Sequence, residues 1–335
     1  MNKKRILVTG AAGFIGSHLC KKLIDKGYYV VGIDNLSAGF RDNVDSFPTD
    51  SFEFIKMDIR DLPTDKNLLI PCSWEAVYHL AAKGETYWCE NHPTETVDIN
   101  VKGTIAVLQW AKCVGVPKFI FADTSAEYDN VSESEILIHG GSLVADADLH
   151  PPKGIYSISK NAASRFVRTF YSDHVIFRFF NVYGPSMNLL RDTPPVIGAF
   201  ISGIWKNGTV TIYGDGTKRR DFIYIDDVIN MLLKSIEKYD ILKGGTYNAG
   251  TGTNYSVSEI LDIICALIEK NDVKVLRKPD QIHEAQITLA NMKEEMEFFD
   301  IQEFIPIDVG IGRTINSHIY SSWIPQAHDY MEEND

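Results

Sequence analysis

No apolar run in the chain approaches the ~18 residues of a membrane span, which excludes a transmembrane helix and any partnership with the membrane interior. The five cysteines, Cys20, Cys72, Cys89, Cys113 and Cys265, are odd in number, widely spaced and free of any C-x-x-C pair. Neither a disulfide framework nor a zinc cluster is indicated, and no metal site is expected. Basic residues are also scarce: 33 Lys plus Arg stand against 45 Asp plus Glu, a formal net charge of −12. A broad cationic surface for nucleic acid is thereby excluded, and any anionic ligand must be small and held locally. The basic start of the chain resembles the beginning of a signal peptide, but Gly10, Gly13 and Gly16 break the apolar stretch behind it. A cytoplasmic location is expected.

What is present is an ordinary globular composition, 44% apolar and 23% charged over 335 residues, enough for about two domains. Short β-branched and aromatic runs alternate with stretches of helical period, the pattern of βαβ units and a parallel sheet. Strands are expected at Arg5–Thr9, Tyr29–Asp34, Phe52–Met57, Ala76–Leu80, Lys118–Ala122 and Val175–Phe179. Helical spacing links Ile15, Leu19 and Leu23, then Val101, Ile105 and Leu108, then Ala163, Phe166, Val167 and Phe170. Beyond Gly184-Pro185 the texture turns to longer polar loops, with helices near Val196–Trp205 and Val257–Glu269. Residues 130–155, rich in Gly, Ser, Asp and Pro, read as a loop.

Gly10-Ala11-Ala12-Gly13-Phe14-Ile15-Gly16 follows an apolar strand and opens an amphipathic helix. Backbone N–H groups there can approach a pyrophosphate with no side chain intervening. The next strand ends in Asp34, about twenty residues on, where a carboxylate accepts hydrogen bonds from the ribose hydroxyls and repels a 2′-phosphate. NAD is favoured over NADP, with Arg41 a few residues further as the one cation in reach of a phosphate.

Tyr156 and Lys160 stand at i and i+4, on one face of a helix. A phenol with a pKa near 10 is a poor base at neutral pH, but a cation about 4–6 Å away stabilises the phenolate. Lys160 is placed to be that cation. The overlapping Ser157-x-x-Lys160 pattern lacks the S-D-N and K-T-G partners of penicillin-recognising enzymes and is a chance match. Thr124 lies just past a predicted strand, at the carboxyl edge where open α/β sheets bind ligands, and its hydroxyl can orient a substrate oxygen against Tyr156.

Together these residues resemble the extended short-chain dehydrogenase/reductase family, in its NAD-dependent nucleotide-sugar epimerase/dehydratase branch. The match continues through Met57-Asp58-Ile59-Arg60-Asp61, His79-Leu80-Ala81-Ala82, Asn100-Val101-Lys102-Gly103-Thr104 and Arg178-Phe179-Phe180-Asn181-Val182-Tyr183-Gly184-Pro185. It ends in Arg220-Asp221-Phe222, Tyr247-Asn248-Ala249-Gly250 and Gly310-Ile311-Gly312-Arg313. The resemblance implies a doubly wound α/β Rossmann-type sheet with a smaller C-terminal α/β substrate domain. Residues 1–180, with 220–250 returning to them, would bind the cofactor, and 181–219 with 251–335 the nucleotide sugar. By the same resemblance, NAD would be touched by the glycine loop, Asp34, Asn35, Asp58, Ile59, Leu80, Ala81, Ala82, Lys83, Asn100, Tyr156, Lys160 and Phe180. The substrate would be touched by Lys83, Thr124, Asn181, Arg220 and Arg277, and the chain would form a homodimer. Arg178, inside an apolar strand, is expected to be structural.

The family shares a first step, in which the tyrosine removes the C4 hydroxyl proton while hydride passes from C4 to NAD. Members that eliminate water or carboxylate carry acids directly after the catalytic hydroxyl, whereas Thr124 is followed by Ser125 and Ala126. A 4-epimerase working through a 4-keto sugar is the favoured reading. Net oxidation, 4,6-dehydration and a non-catalytic dinucleotide sensor stay open. Glu127-Tyr128-Asp129 departs from the family's Val-Tyr-Gly.

Overall fold

Seven parallel strands form the central sheet of the computed structural model, which describes residues 3–62, 73–130, 151–189, 194–270, 272–280 and 285–320. They are β1 (Arg5–Thr9), β2 (Tyr29–Asp34), β3 (Phe52–Lys56), β4 (Trp74–His79), β5 (Phe119–Thr124), β6 (His174–Phe179) and β10 (Gly245–Ala249). Their spatial order is β3-β2-β1-β4-β5-β6-β10. The order reverses between β1 and β4, so a crevice opens at the carboxyl ends of those strands. Every residue of β5 and β6 is buried. Helices cover both faces of a parallel sheet, so these strands are mostly apolar, and their polar members Asp123, Thr124, His174 and Arg178 are buried with them.

Two apolar layers result. On one face, helix Phe14–Asp25 packs against helix Ile225–Glu237 around Leu19, Leu23, Val228 and Leu232. On the other, helix Gly103–Cys113 packs against helix Ile155–Phe170, with Trp110 edge-on to Trp74 at 5.2 Å. Both predicted helices of the later region are present, as Val196–Asn207 and Val257–Ile268. The second starts at a capping box: Ser256 Oγ accepts from Glu259 N–H at 3.1 Å and the Glu259 carboxylate accepts from Ser256 N–H at 2.6 Å.

The later region adds two small sheets, β7 (Asn181–Tyr183) with β9 (Arg219–Tyr224) and β11 (Asn254–Ser256), and β8 (Thr209–Tyr213) beside β12 (Lys274–Lys278). Buried Asp221 ties this region to the loop after β10. Its carboxylate accepts from Thr251 N–H at 2.8 Å, Gly252 N–H at 3.0 Å and Ala290 N–H at 3.1 Å. The Arg-Asp-Phe and Ala-Gly-Thr-Gly segments are therefore two halves of one joint. Strand β5 runs two residues beyond the expected end, so Thr124 closes the strand rather than following it. Most of the 130–155 segment lies outside the described residues.

Candidate active site

A cleft of about 890 Å³ runs along the carboxyl edge of the sheet. Its first wall is the glycine loop. Gly10 turns the chain at φ 71°, and a Cβ on Gly16 would lie 2.0 Å from the Gly10 carbonyl oxygen, so the first helical turn sits directly on the loop. No side chain caps that helix, and its first N–H groups face the cleft that Gly13, Phe14, Ile15 and Gly16 line. This is an anion cradle suited to a diphosphate.

Asp34 also lines the cleft, but its carboxylate is already engaged. Oδ2 accepts from Ala12 N–H at 3.0 Å and Oδ1 from Leu36 N–H at 2.8 Å. It therefore fixes the glycine loop while lining the cleft, and burial raises its carboxyl above the usual range. Arg41 is paired with Asp45 at 2.5 Å and stacked 4.2 Å from the Phe54 ring centre, so it is engaged elsewhere than at a phosphate. Asp58, Asn35 and Ile59 line the adjoining wall, and the Arg60 hydrogen bonds hold Asp58 down at about 2. Asn35 Nδ2 donates to Asp58 at 2.8 Å, closing that end. The donor set fits a dinucleotide: an uncapped helix end, a carboxylate at the second strand and an apolar slot.

Leu80, Ala81, Ala82 and Lys83 continue the wall after β4. Thr9 Oγ1 accepts from Ala81 N–H at 3.2 Å and shares a hydrogen bond with buried His79 at 2.7 Å. Asn100, on a π-helical turn at Asp98–Lys102, does not line the cleft. It brackets Lys83 instead, accepting from its N–H at 2.8 Å and donating to its carbonyl at 3.0 Å. Nδ2 also donates to Ser159 Oγ at 3.0 Å, so Asn100 links this wall to the helix that carries the tyrosine. The Lys83 ammonium pairs with Glu85 at 3.1 Å and lies 4.4 Å from the Trp88 ring centre.

Tyr156, Lys160 and Thr124 meet in the cleft. Tyr156 and Lys160 occupy the first and second turns of helix Ile155–Phe170. A Cβ on Gly84 would sit 3.8 Å from the Tyr156 hydroxyl, which places that hydroxyl against the Ala81–Lys83 wall. Lys160 is buried, donates to the Ala122 carbonyl at 2.6 Å and lies 4.1 Å from the Phe121 ring centre. Burial brings its ammonium down, and the neighbouring carboxyls of Asp123 and Glu127 oppose that fall. Thr124 Oγ1 accepts from Ala126 N–H at 3.1 Å and retains its own proton to donate.

The helix start is held by two carboxylates that the sequence reading left without a role. Asp129 accepts from Lys153 N–H at 2.9 Å, Gly154 N–H at 3.1 Å and Ser157 Oγ at 2.5 Å. Glu90 accepts from Ile155 N–H at 2.7 Å. Acids at a helix N-terminus offset its exposed N–H groups and dipole, so Tyr156 stands on an anchored turn.

On the substrate side, Phe180, Asn181 and Arg220 line the cleft, and so does Lys218, which the sequence reading passed over as a neighbour of Arg220. Asn181 Nδ2 donates to the Asp221 carbonyl at 3.1 Å. Arg277 is not brought to this site. It lies exposed on β12, outside the cleft lining, and donates to the Gly214 carbonyl at 3.3 Å. The wall opposite the cofactor loop, including Met187, Phe200, Ile212 and Tyr213, comes from segments with no chemical motif.

Residues 6–250 match the model of the NAD dependent epimerase/dehydratase family. A UDP-glucuronate 4-epimerase from Thermodesulfobacterium geofontis is 31% identical over 329 residues, covering 92% of this chain and 94% of that protein. The UDP-glucuronic acid 4-epimerase of Bacillus cereus, solved with UDP-glucuronic acid and NAD, superposes at TM-score 0.82 and 28% identity, over 96% of this chain and 99% of that one. The UDP-glucose 4-epimerase of Thermotoga maritima, solved with UDP-glucose, does so at 0.83 and 26% identity, over 94% and 98%. With its reversed-order parallel sheet, glycine cradle and Tyr–Lys helix, the chain belongs to the NAD-dependent epimerase/dehydratase family.

Proposed function

We propose that this chain is a 4-epimerase of a nucleoside-diphosphate sugar. The observation that carries the reading is the convergence of Tyr156, Lys160 and Thr124 in the cleft that the glycine loop walls. Bound in that loop, NAD supplies a two-electron acceptor that takes hydride from the sugar's C4 and returns it. Tyr156 Oη takes the C4 hydroxyl proton, made acidic enough by the Lys160 ammonium, and Thr124 Oγ holds the same oxygen. The 4-keto sugar turns in the cleft, and Tyr156 returns the proton to the C4 oxygen as hydride comes back to the opposite face of C4. Ser125 and Ala126 offer no acid for elimination. Asn181 and Arg220, which line the cleft, would take the diphosphate, with Lys218 beside them paired to Asp280.

The test is incubation with NAD and UDP, GDP, CDP and dTDP sugars, with products identified by NMR. A C4-inverted sugar without net NADH is expected. A 6-deoxy-4-keto product, or NADH in stoichiometric amount, overturns the assignment.

We infer a homodimer as well, formed through helix Ile155–Phe170. Ile158 and Phe166 are exposed two turns apart on one face, with exposed Val97 on a neighbouring helix. Phe166→Glu should yield a monomer by light scattering; an unchanged mass removes this face from the interface. The odd number and wide spacing of the cysteines support a reducing cytoplasm.

A further inference from the structure

Beneath the catalytic residues lies a buried charge cluster that the mechanism above does not use. Side chains alternate across a strand, so Asp123 shares its face of β5 with Phe121, whose ring carries the Lys160 ammonium. Asp123 is also the residue immediately after Ala122, whose carbonyl accepts from that ammonium. In register it stands opposite Arg178 of β6, and its Oδ2 lies 3.8 Å from Arg178 Nε. Arg178 already has a closer partner: Nη2 meets Glu127 Oε2 at 3.1 Å, and Nη1 donates to Tyr128 Oη at 3.1 Å. Glu127 further accepts from Asn161 Nδ2 at 3.3 Å, on the helix beside Lys160. Both Asp123 oxygens are buried and accept no hydrogen bond.

Two fixed cations and two carboxyls therefore share one dry volume. Glu127 neutralises Arg178, which leaves Asp123 facing Lys160 as the remaining pair. Among the described residues Lys160 has no carboxylate within 4.0 Å, so nothing nearer competes for its charge. The other titratable groups around Lys160 are Glu127, which acts on it from beyond Asp123, His79, held neutral by burial, and Tyr156 itself. Burial of an ammonium is costly without a counter-charge, and a buried carboxylate is costly without a cation, so each stabilises the ionised form of the other.

We propose that Asp123 is the positioning counter-charge of Lys160, keeping it an ammonium so that it can stabilise the Tyr156 phenolate that accepts the sugar's proton. Asp123 touches neither substrate nor cofactor in this role; it acts through Lys160. Burial and then Glu127 hold the Asp123 carboxyl well above its usual range while Lys160 and Arg178 draw it down, and Asp123, with Glu127 behind it, raises Lys160 against burial.

The inference rests on the epimerase reading only for its kinetic readout, and the test separates the two. In protein with ¹³C at the lysine ε-carbons, the resonance that Lys160→Met removes reports the Lys160 titration without any turnover. In Asp123→Asn, near-isosteric and uncharged, that titration should move to lower pH by about one unit or more, as expected for loss of a neighbouring opposite charge. The alkaline limb of kcat/KM should fall by the same amount, with KM for the sugar within about twofold of the unmodified enzyme. Asp123→Ser, uncharged and smaller, must give the same shift and stands in should the Asn variant fail to fold. An unmoved Lys160 titration overturns the proposal, as does a pH-independent loss of kcat, which marks a purely structural residue. Absence of turnover with the Lys160 shift intact would instead refute the epimerase reading alone.

Discussion

Gly16→Ala is the sharpest perturbation of the cofactor cradle, because alanine is otherwise the best helix former and should stabilise a helix by up to about 1 kcal/mol. Here the added Cβ would sit 2.0 Å from the Gly10 carbonyl oxygen and 2.8 Å from its carbon, roughly 1.4 Å short of ordinary contact. Neither atom belongs to a flexible side chain, so backbone must move. Gly10 has little room to retreat, since its own Cβ position faces Ala81 N at 2.9 Å and its N–H is bonded to the Ile33 carbonyl at 2.8 Å. The helix start shifts outward instead, and overpacking of this kind costs about 1–3 kcal/mol of stability. Displaced by about 1 Å, two N–H groups lose their hydrogen bonds to a charged diphosphate, each worth roughly 1.5–3 kcal/mol. At 1.4 kcal/mol per decade, NAD affinity should drop by about 10²–10⁴-fold. Calorimetric titration of NAD into apoprotein measures it, with Gly312→Ala as control, because a Cβ there meets nothing within 4 Å. Affinity within about threefold of the unmodified chain would refute the geometry of the cradle.

Other expectations follow from the same structure. Tyr156→Phe should lower kcat by about 10²–10⁴-fold, the usual worth of a general acid–base group, while NAD binding stays intact; turnover unchanged would remove the phenol from the mechanism. Arg178→Met leaves Glu127 buried without its cation, removes the second cation beside Asp123, and should cost about 3–5 kcal/mol in denaturant unfolding; a loss below about 1 kcal/mol would show the cluster is not ionised. Asp227, 9% exposed, accepts from Ile305 N–H at 3.0 Å, and burial pushes its carboxyl up to about 6. A raised acid favours the protonated native state, so its stabilisation is complete below about pH 4 and is lost as pH rises through 6, up to about 3 kcal/mol. Asp227→Asn should abolish that slope and raise Tm at pH 7; a Tm difference constant from pH 4 to 7 would contradict it.

The parallel sheet was legible because strands buried on both faces carry apolar runs, as Ile6–Val8 of β1, Val30 and Val31 of β2 and Val175–Phe177 of β6 do. The glycine loop and the Tyr156/Lys160 pair were legible because each is a local pattern whose geometry is fixed by one turn or one helix. Asn100 was read as a cofactor contact, but a sequence position on a motif does not disclose which way a π-helical turn aims a side chain; it aims this one at the backbone of Lys83. Arg277 matched a position in the order of motifs, whereas its placement depends on the pairing of β12 with β8, a contact between residues more than sixty apart. The Asp123–Glu127–Arg178–Lys160 cluster joins β5, the turn after it, β6 and a helix. No window of sequence contains it, and only the register of β5 with β6 sets Asp123 opposite Arg178.

The central claim, that one cleft removes and returns the same hydride at a sugar's C4 while Tyr156 moves the proton, is tested most directly by isotope retention. Nucleoside-diphosphate sugar deuterated at C4 should emerge as its C4 epimer with deuterium still at C4, with no solvent hydrogen there and no accumulation of NADH. Washout of the label, or product lacking C4 inversion, would contradict it.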